Sequence, residues 1–448
     1  LEGNRAEVTV CLGKEKCSLT KEYTEAEIPS YDTRESFFER KIALMMFELL
    51  CKMTDYTPPW GILTGVRPAK LMSKLALSMG EEAAKEYFQS ELRVTGEKTD
   101  LALCVAKKEA PIIEEASDKN SFSLYVSIPF CPTRCSYCSF ISPSNDKAKK
   151  LMPEYVDYLI KEIEETGKIA RELNLKLESV YYGGGTPTAL TEQLLKRVSD
   201  AVSANFDLSD IKEYTIEAGR PDTLNKEKIE IMKNAGVTRI SINPQTFNAE
   251  VLQNIGRKHS PEMTLEAFKM AREAGFDNIN MDFIAGLPTE SKQSFCDSID
   301  KAIALGVPSI TVHTLSLKTG AYMATRDRAF DLTDKILAKK MVDYAGKALY
   351  AAGYKPYYMY RQGKSLGNLE NVGWCKEGAD CLYNVFMMDE THSVFAVGAG
   401  AVIKLKNCSS GKIERIYNYK YPYEYIDRFD EILKRKKKIN EFYANYKI

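Results

Sequence analysis

The chain has 448 residues, 44% of them hydrophobic and 28% charged, with 62 Lys and Arg set against 62 Asp and Glu. That is room for two or three globular domains, and the balanced charge gives no general attraction to nucleic acid or an anionic membrane. No uncharged apolar run approaches the roughly 18 residues needed to span a bilayer. The chain opens on Leu1-Glu-Gly-Asn-Arg5, without an initiator Met or an apolar signal region, so a trimmed cytoplasmic protein is expected. Its eleven cysteines then read as reduced thiols plus a metal site, not as a disulfide framework.

Residues 1–118 are expected to form an accessory domain. A strand over 7–12 precedes an amphipathic helix over 35–53, with Phe38, Ile42, Met45, Met46, Leu49 and Leu50 on one face. The segment Thr57-Pro-Pro-Trp-Gly-Ile-Leu-Thr-Gly-Val-Arg-Pro68 reads as a rigid connector in which Trp60 plugs a small core, with Arg67 as a lesser candidate for an acidic ligand. Short helices then run to about residue 115.

Over 119–325 strands and helices alternate. Strands are expected at 124–128, 179–182, 214–217, 239–243, 279–284 and 309–315, and helices at 153–173, 192–204, 226–235, 261–274 and 292–304. This pattern predicts an α/β fold with a parallel sheet of βα units, whose function sits at the C-terminal strand ends. Residues 326–448 are expected to form an α+β region. A helix over 332–352, a Tyr-rich stretch over 354–361 and a Gly/Asn-rich loop over 363–378 lead to strands near 383–388 and 393–397. The basic run 434–438 in the last helix reads as a solvated face.

The chemistry concentrates in Leu124-Tyr-Val-Ser-Ile-Pro-Phe-Cys-Pro-Thr-Arg-Cys-Ser-Tyr-Cys-Ser-Phe140. An apolar strand, stopped by Pro129, runs into Cys131, Cys135 and Cys138, spaced C-x3-C-x2-C. Three thiolates cannot complete a tetrahedral zinc site alone, but they can hold three irons of a [4Fe–4S] cube and leave the fourth open. Tyr137 and Phe140 can shield such a cluster from water. Gly183-Gly-Gly-Thr-Pro-Thr188 follows the second strand, where glycines let the backbone approach a ligand closely. Glu217 ends the third strand, a place suited to ribose hydroxyls. Gln245, Arg257 and Asp282 put a donor/acceptor, a cation and an anion round the same mouth, a set suited to a zwitterionic amino acid. His259 reads either as a positioning residue in the chemistry or as a hydrogen-bonded core group. His313, inside the sixth strand, reads as structural. The C-x5-C pairs Cys11/Cys17 and Cys375/Cys381 lack a third partner and are weak grounds for an auxiliary cluster.

C-x3-C-x2-C with an aromatic before the last Cys resembles the radical S-adenosylmethionine (SAM) superfamily. Tyr125-x-Ser-Ile-Pro-Phe-Cys131, Gly183-Gly-Gly-Thr-Pro-Thr188, Arg239-x-Ser-x-Asn-Pro-Gln245, Gly256-Arg-Lys-His259 and Asp282-x-Ile-x-Gly-Leu-Pro288 occur in that order. Together they resemble the oxygen-independent coproporphyrinogen III oxidase (coproporphyrinogen dehydrogenase) family over about 121–405. Thr64-Gly-Val-Arg-Pro-Ala-Lys70 and Asn368-Leu-Glu-Asn-Val-Gly373 are similar to its HemZ-type branch. The resemblance implies a partial (β/α)6 barrel flanked by the accessory domain and the α+β region. It implies that Cys131, Cys135 and Cys138 hold the cluster, and that Tyr125, Gly184 and Glu217 bind a SAM molecule. Positions matching Tyr137, Gly185, Thr186, Gln245, Arg257, Asp282 and Ser316 contact a second SAM in the family, so one or two are expected. This chain departs at Asn243-Pro244 before Gln245, and at Glu217-Ala-Gly-Arg-Pro221 where the family usually has Glu-x-Asn-Pro.

Reduced by one electron from a donor such as a flavodoxin or ferredoxin, the family's cluster cleaves SAM to methionine and a 5′-deoxyadenosyl radical. By resemblance, that radical takes a hydrogen from the β-carbon of a porphyrinogen propionate. Loss of CO2 and an electron leaves a vinyl group, and two rounds convert coproporphyrinogen III to protoporphyrinogen IX. Arg220, Arg257, Lys258 and Arg361 are candidate grips for the substrate carboxylates, and Tyr357–Tyr360 for its flat face. Relatives also perform methyl transfer with opening of the haem ring, or carry haem without turnover. The carrier branch typically has a His-Asn-x-x-Tyr-Trp segment, where this chain reads Tyr383-Asn-Val-Phe-Met-Met388.

Overall fold

The computed structural model of the chain describes residues 5–28, 33–116, 118–140, 146–318, 320–323 and 332–446. The N-terminal tetrapeptide and the boundary expected at 325 lie outside them. The chain begins with an antiparallel ribbon, β1 (Arg5–Leu12) and β2 (Glu15–Glu22), and helix α1 (Arg34–Thr54). These three share a small core of Ala6, Tyr23, Phe37, Phe38 and Met45. Thr33 caps α1 by accepting from Ser36 N, and Asp55 ends it in the left-handed region (φ 49°). Helices α2 (Pro68–Met79), α3 (Glu81–Ser90) and α4 (Gly96–Glu115) follow. They bury Met72, Phe88 and Val105 in the main core, together with Trp60 from the Pro/Gly loop.

The centre of the molecule is a run of βα units: β3 (Ser121–Ile128), α5 (Asp146–Glu172), β4 (Lys176–Gly184), α6 (Glu192–Asn205), β5 (Glu213–Glu217), α7 (Lys226–Asn234), β6 (Arg239–Ser241), α8 (Ala249–Asn254), α9 (Pro261–Glu273), β7 (Asn278–Ala285), α10 (Lys292–Ala304) and β8 (Ser309–Thr314). Strands β3 to β8 pair in parallel in that order. Alternate residues explain the arrangement. Leu124, Val180, Ile216, Ile240, Met281 and Ile310 pack into the helical layer with Leu195, Val198, Ile229 and Ile299. The opposite parity buries Ser123, Ser179, Thr215, Arg239, Ser241, Asn280, Ser309 and Thr311 on a polar concave face. Strands covered on both sides usually read as continuous apolar runs; here one buried face is polar because it lines a site.

The chain then adds α11 (Leu332–Ala351), β9 (Lys355–Arg361), β10 (Glu370–Cys375), α12 (Leu382–Asp389), β11 (Ser393–Val397), β12 (Val402–Lys406), β13 (Ile413–Tyr417), α13 (Pro422–Asp427) and α14 (Phe429–Tyr446). These strands widen the same sheet to eleven, in the order β13-β12-β11-β3-β4-β5-β6-β7-β8-β10-β9. Among the described residues the sheet does not close on itself, which is the partial-barrel α/β fold expected.

Three local expectations are corrected, and the Tyr-rich stretch gains an assignment. The loop expected over 363–378 contains β10, paired antiparallel with both β8 and β9. The Tyr-rich stretch is itself strand β9. The strand expected near 383–388 is helix α12, because the Glu213 carboxylate accepts from Leu382 N (2.8 Å) and Tyr383 N (3.2 Å) and caps it. Helix α5 begins at Asp146, so Pro153 lies two turns inside it and forgoes one backbone hydrogen bond there.

Candidate functional site

The cysteine loop leaves β3 and is held on every side. Gly185 N and Thr186 N donate to Ile128 O and Phe130 O (2.8 and 2.7 Å). Ser136 N donates to Ile255 O (3.0 Å), and Thr133 Oγ1 to Gly256 O (2.9 Å). Arg134 Nη2 donates to Gly320 O (2.8 Å), and Met323 N to Ser136 O (3.0 Å), so residues 320–323 cover one side. Within the loop Cys138 N donates to Cys135 O (3.2 Å).

All three thiols are free of disulfides. Thr186 Oγ1 lies 3.5 Å from Cys131 Sγ, Arg220 Nη1 3.8 Å from Cys135 Sγ, and Phe140 N 3.4 Å from Cys138 Sγ. Burial raises the Cys138 thiol, Phe140 N opposes that, and the neighbouring Cys135 and Cys131 raise it further. Bound iron would convert this repulsion into ligation. Among the described residues no group of three or more His, Cys, Asp or Glu is arranged to hold a metal ion. Each cysteine of a [4Fe–4S] cube binds a different iron, so its thiols stand further apart than ligands of one ion. Arg220 and Arg257, both buried beside the loop, supply the positive charge that a thiolate-ligated cluster needs. The donor set fits.

The glycine turn makes a cradle. A Cβ on Gly185 would lie 2.6 Å from Phe130 O, and on Gly184 3.0 Å from Ser127 Oγ; Gly184 also has φ +101°. A Cβ on Gly183 would approach Tyr125 Oη at 3.0 Å. Tyr125, Tyr181 and Tyr383 pack pairwise with near-parallel rings, the last two with centroids 4.5 Å apart.

Tyr181 Oη donates to Glu217 Oε1 at 2.5 Å. Burial pushes the Glu217 carboxyl up to about 7; Tyr181 opposes the rise and nearby Asp282 adds to it. Asp282 goes the other way. Burial would raise it, but His313, Asn280 and Thr311 together hold it below its ordinary value. Asn280 Nδ2 donates to its Oδ1 at 2.7 Å, and His313 Nε2 lies 3.8 Å from its Oδ2. Two carboxyls on one concave face, pushed apart in proton affinity, are poised for different tasks.

Gln245 is buried with φ 68°. It keeps this left-handed conformation because its N donates to Asp282 O (2.9 Å) while its O accepts from Ile284 N (3.1 Å). Arg257 donates to Asn243 O (2.6 Å) and Gly219 O (3.2 Å), with Nη2 3.4 Å from Tyr137 Oη. Ser316 sits at the lip, bridged to Ser365, its Oγ donating to Gly363 O (3.3 Å). His259 is buried between Arg257 and Arg220, and burial followed by those two charges pushes it down to about 3, so it is neutral.

The candidate substrate grips divide. Arg220 is committed to Asp222, Thr133 and the Cys135 side of the loop. Arg361 donates to Leu63 O and Gly65 O and lies over the Trp60 ring. Arg67 pairs with Glu390. Each of these three is already held by partners within the protein; Lys258 is exposed. Tyr358 and Tyr360 stack at 6.3 Å, and Tyr360 Oη lies 3.4 Å from His313 Nδ1. His313 thus belongs to the site wall rather than to inert packing. Its signal was there in the polar alternation Ser309, Thr311, His313.

The fold and this loop define a radical SAM protein, and residues 125–302 match the radical SAM superfamily. Membership implies a [4Fe–4S] cluster and SAM. More particularly, the chain is 34% identical over 439 residues to the oxygen-independent coproporphyrinogen-III oxidase-like protein HemZ of Bacillus subtilis (strain 168), covering 97% of this chain and 88% of that protein. It belongs to the oxygen-independent coproporphyrinogen-III oxidase-like family, in the HemZ-type branch. The haem chaperone HemW of B. subtilis (strain 168) is 32% identical over 62% of this chain and 70% of its own length. In structure, coproporphyrinogen III oxidase (HemN) from Escherichia coli superposes with a TM-score of 0.56 at 22% identity, over 73% of this chain and 72% of that one.

Proposed function

We propose that this chain is a radical SAM enzyme acting on a tetrapyrrole, converting two propionates of coproporphyrinogen III to vinyl groups to give protoporphyrinogen IX. The observation that carries this reading is the likeness to the HemZ protein over 97% of the chain, which takes in the accessory and C-terminal regions as well as the barrel. When bound, the cluster and SAM supply a hydrogen-abstracting radical; the polypeptide binds, orients and keeps water out.

In this reading Cys131, Cys135 and Cys138 hold the cluster, and the Gly183–Gly185 turn admits SAM close to the backbone. Glu217, in its carboxylate form, accepts from the ribose hydroxyls as well as from Tyr181 Oη, with Tyr125 stacked beside Tyr181. Gln245, Asp282, Arg257 and Thr186 form the second group of contacts, for which a second SAM is the proposed occupant, with Tyr137 and Ser316 at its edges. Lys258 and His313 replace Arg220 and Arg361 as the proposed contacts for substrate carboxylates. Residues 1–118 form the accessory domain, 119–325 the radical SAM core and 326–448 the α+β region that covers its mouth.

The likeness to HemW over 62% of the chain favours a second reading, a haem carrier. Anaerobic incubation of reconstituted protein with SAM, reductant and either coproporphyrinogen III or haem separates the readings. CO2 and vinyl product support decarboxylation. A methylated open-chain tetrapyrrole formed from haem replaces it with ring opening, and stoichiometric haem binding without SAM cleavage replaces it with carriage. Cys135→Ala is expected to abolish the brown iron–sulfur absorption of the reconstituted protein; absorption at wild-type intensity would remove the cluster assignment.

A further inference from the structure

The polar neighbours of the three loop thiols differ in kind. A neutral hydroxyl, Thr186 Oγ1, lies 3.5 Å from Cys131 Sγ, and a backbone amide, Phe140 N, lies 3.4 Å from Cys138 Sγ. Beside Cys135 the neighbour is a guanidinium, with Arg220 Nη1 at 3.8 Å. Cys135 is also the buried thiol of the three, while Cys131 and Cys138 are partly exposed. Arg220 stands where the family usually has Asn, and the proposed contacts to SAM and substrate leave it without a task.

The structure holds this guanidinium in one place. Thr223 N and Thr223 Oγ1 donate to Arg220 O (3.0 and 2.7 Å), which fixes the backbone just after β5. Nε and Nη2 form a fork on Asp222 Oδ1 and Oδ2 (3.2 and 3.4 Å). That fork sets the plane of the group and leaves Nη1 to donate to Thr133 Oγ1 (2.9 Å) beside the Cys135 sulfur. The two charges of the pair meet different surroundings. The Arg220 side chain is 3% exposed and the Asp222 side chain 17%, because Asp222 lines a cavity that opens on the outer side of the loop. The cation is on the dry side and the anion on the wet side. Water screens the carboxylate more than the guanidinium, so the pair as a whole presents a positive field to Cys135.

We propose that Arg220 is a positioning residue that acts through Cys135, setting a fixed cation beside one thiolate of the [4Fe–4S] cluster and thereby raising its one-electron reduction potential. The equilibrium concerned adds one electron from an external one-electron reductant, and no bond or proton changes place. The added electron makes the thiolate-ligated group more negative. A nearby cation that also donates to sulfur therefore stabilises the reduced form more than the oxidised one. Lys in this position would keep the charge but lose the planar fork that aims it. The inference rests on the iron–sulfur reading of the cysteine loop.

The test is an anaerobic redox titration of the reconstituted full chain with dithionite, without SAM or substrate, following the cluster absorption and the paramagnetic signal of the reduced form. Arg220→Asn, which installs the family's usual residue, is expected to lower the midpoint by at least about 59 mV, tenfold in the one-electron equilibrium constant. Iron content and the absorption of the oxidised form should stay at parent values. Arg220→Gln, a second neutral variant, should match it, and Arg220→Lys should shift less than half as far. Removing the opposing carboxylate as well, in Arg220→Asn with Asp222→Asn, should recover part of the shift. Lys168→Gln changes the net charge equally at an exposed position elsewhere and should keep the parent midpoint. A parent midpoint in the neutral variants, or an equal shift in the Lys and Asn variants, overturns the proposal and leaves the cluster reading intact. So does loss of iron from both neutral variants, which would make Arg220 a residue that retains the cluster instead of one that sets its potential. Absence of a dithionite-reducible cluster in the parent protein overturns both.

Discussion

At the scale of single residues, Glu217 couples stability to binding. Its half-buried carboxyl, hydrogen-bonded by Tyr181 and repelled by Asp282, is pushed up to about 7 from an ordinary value of 4.5. A raised carboxyl pKa means that the folded chain binds more protons than the unfolded one between these values. Stability is therefore lost as pH rises from about 4.5 to about 7. The shift corresponds to as much as about 3 kcal/mol. Such a cost at a strand end is understandable if the ionised form is the one that accepts from ribose hydroxyls. Glu217→Gln is accordingly expected to raise the unfolding free energy at pH 8 by about 1–3 kcal/mol and to weaken SAM binding. In the parent protein, SAM affinity should strengthen as pH rises through about 7, and the variant should lose that dependence. Calorimetric titrations of SAM at pH 6 and pH 8, with denaturation curves at both, check it. A variant that binds SAM as tightly as the parent removes Glu217 from the binding site.

At the scale of elements, the parallel core was legible because each strand carries an apolar parity that can only be satisfied against helices, and each helix a matching stripe. Helix α12 was not. Its eight residues are too short and too uniformly apolar to betray a period, and its helical state depends on Glu213, 169 residues before Leu382. Strand β10 was hidden by Gly373, yet that glycine belongs to a strand: a Cβ there would come within 2.0 Å of the Tyr358 ring. The cysteine loop was readable from spacing alone. Arg220 and Arg361 were misjudged as substrate grips because sequence does not show that backbone carbonyls and Asp222 already occupy them. The same dependence of α12 on a distant carboxylate makes a prediction. Glu213→Ala strips the acceptor from two amides and from the Cys381 thiol, and should destabilise by at least about 2 kcal/mol. Glu213→Gln, which keeps one acceptor, should cost less. Urea midpoints at unchanged m-value measure it. Because α12 carries Tyr383 into the stack with Tyr181, the alanine variant should also bind SAM more weakly than its global stability requires.

At the scale of the whole molecule, the expected accessory region is two things. Trp60 and α2 to α4 share the main core, and a buried network ties them to the sheet. Lys98 Nζ donates to Glu370 Oε1 (2.6 Å) and Asp343 Oδ1 (3.3 Å), while Trp60 Nε1 donates to Glu370 Oε2 (2.7 Å). By contrast β1, β2 and α1 enclose a separate core. They reach the rest through partly exposed pairs: Arg40 and Lys41 with Glu91, and Glu48 with Arg93. Exposed or half-exposed pairs contribute little, typically 0–1 kcal/mol each. The far end of the chain is unlike this. Glu162 on α5, fully buried, binds Lys436 of α14 (3.1 Å), Tyr425 Oη (2.6 Å), Asn418 Nδ2 (2.8 Å) and Gly398 N (2.7 Å). Removing one member of a buried ion pair costs about 3–5 kcal/mol, a large share of the 5–15 kcal/mol by which a domain is stable. Deletion of residues 1–54 should therefore leave a folded protein that still acquires its cluster, with only a modest fall in Tm. Ending the chain at Arg428 should give a protein that does not fold, since it loses Lys436 and the buried face of α14. Size-exclusion chromatography, circular dichroism and iron–sulfur absorption after reconstitution distinguish the two truncations. Equal loss of fold in both would mean that the N-terminal ribbon and helix are as much a part of the barrel's stability as α14.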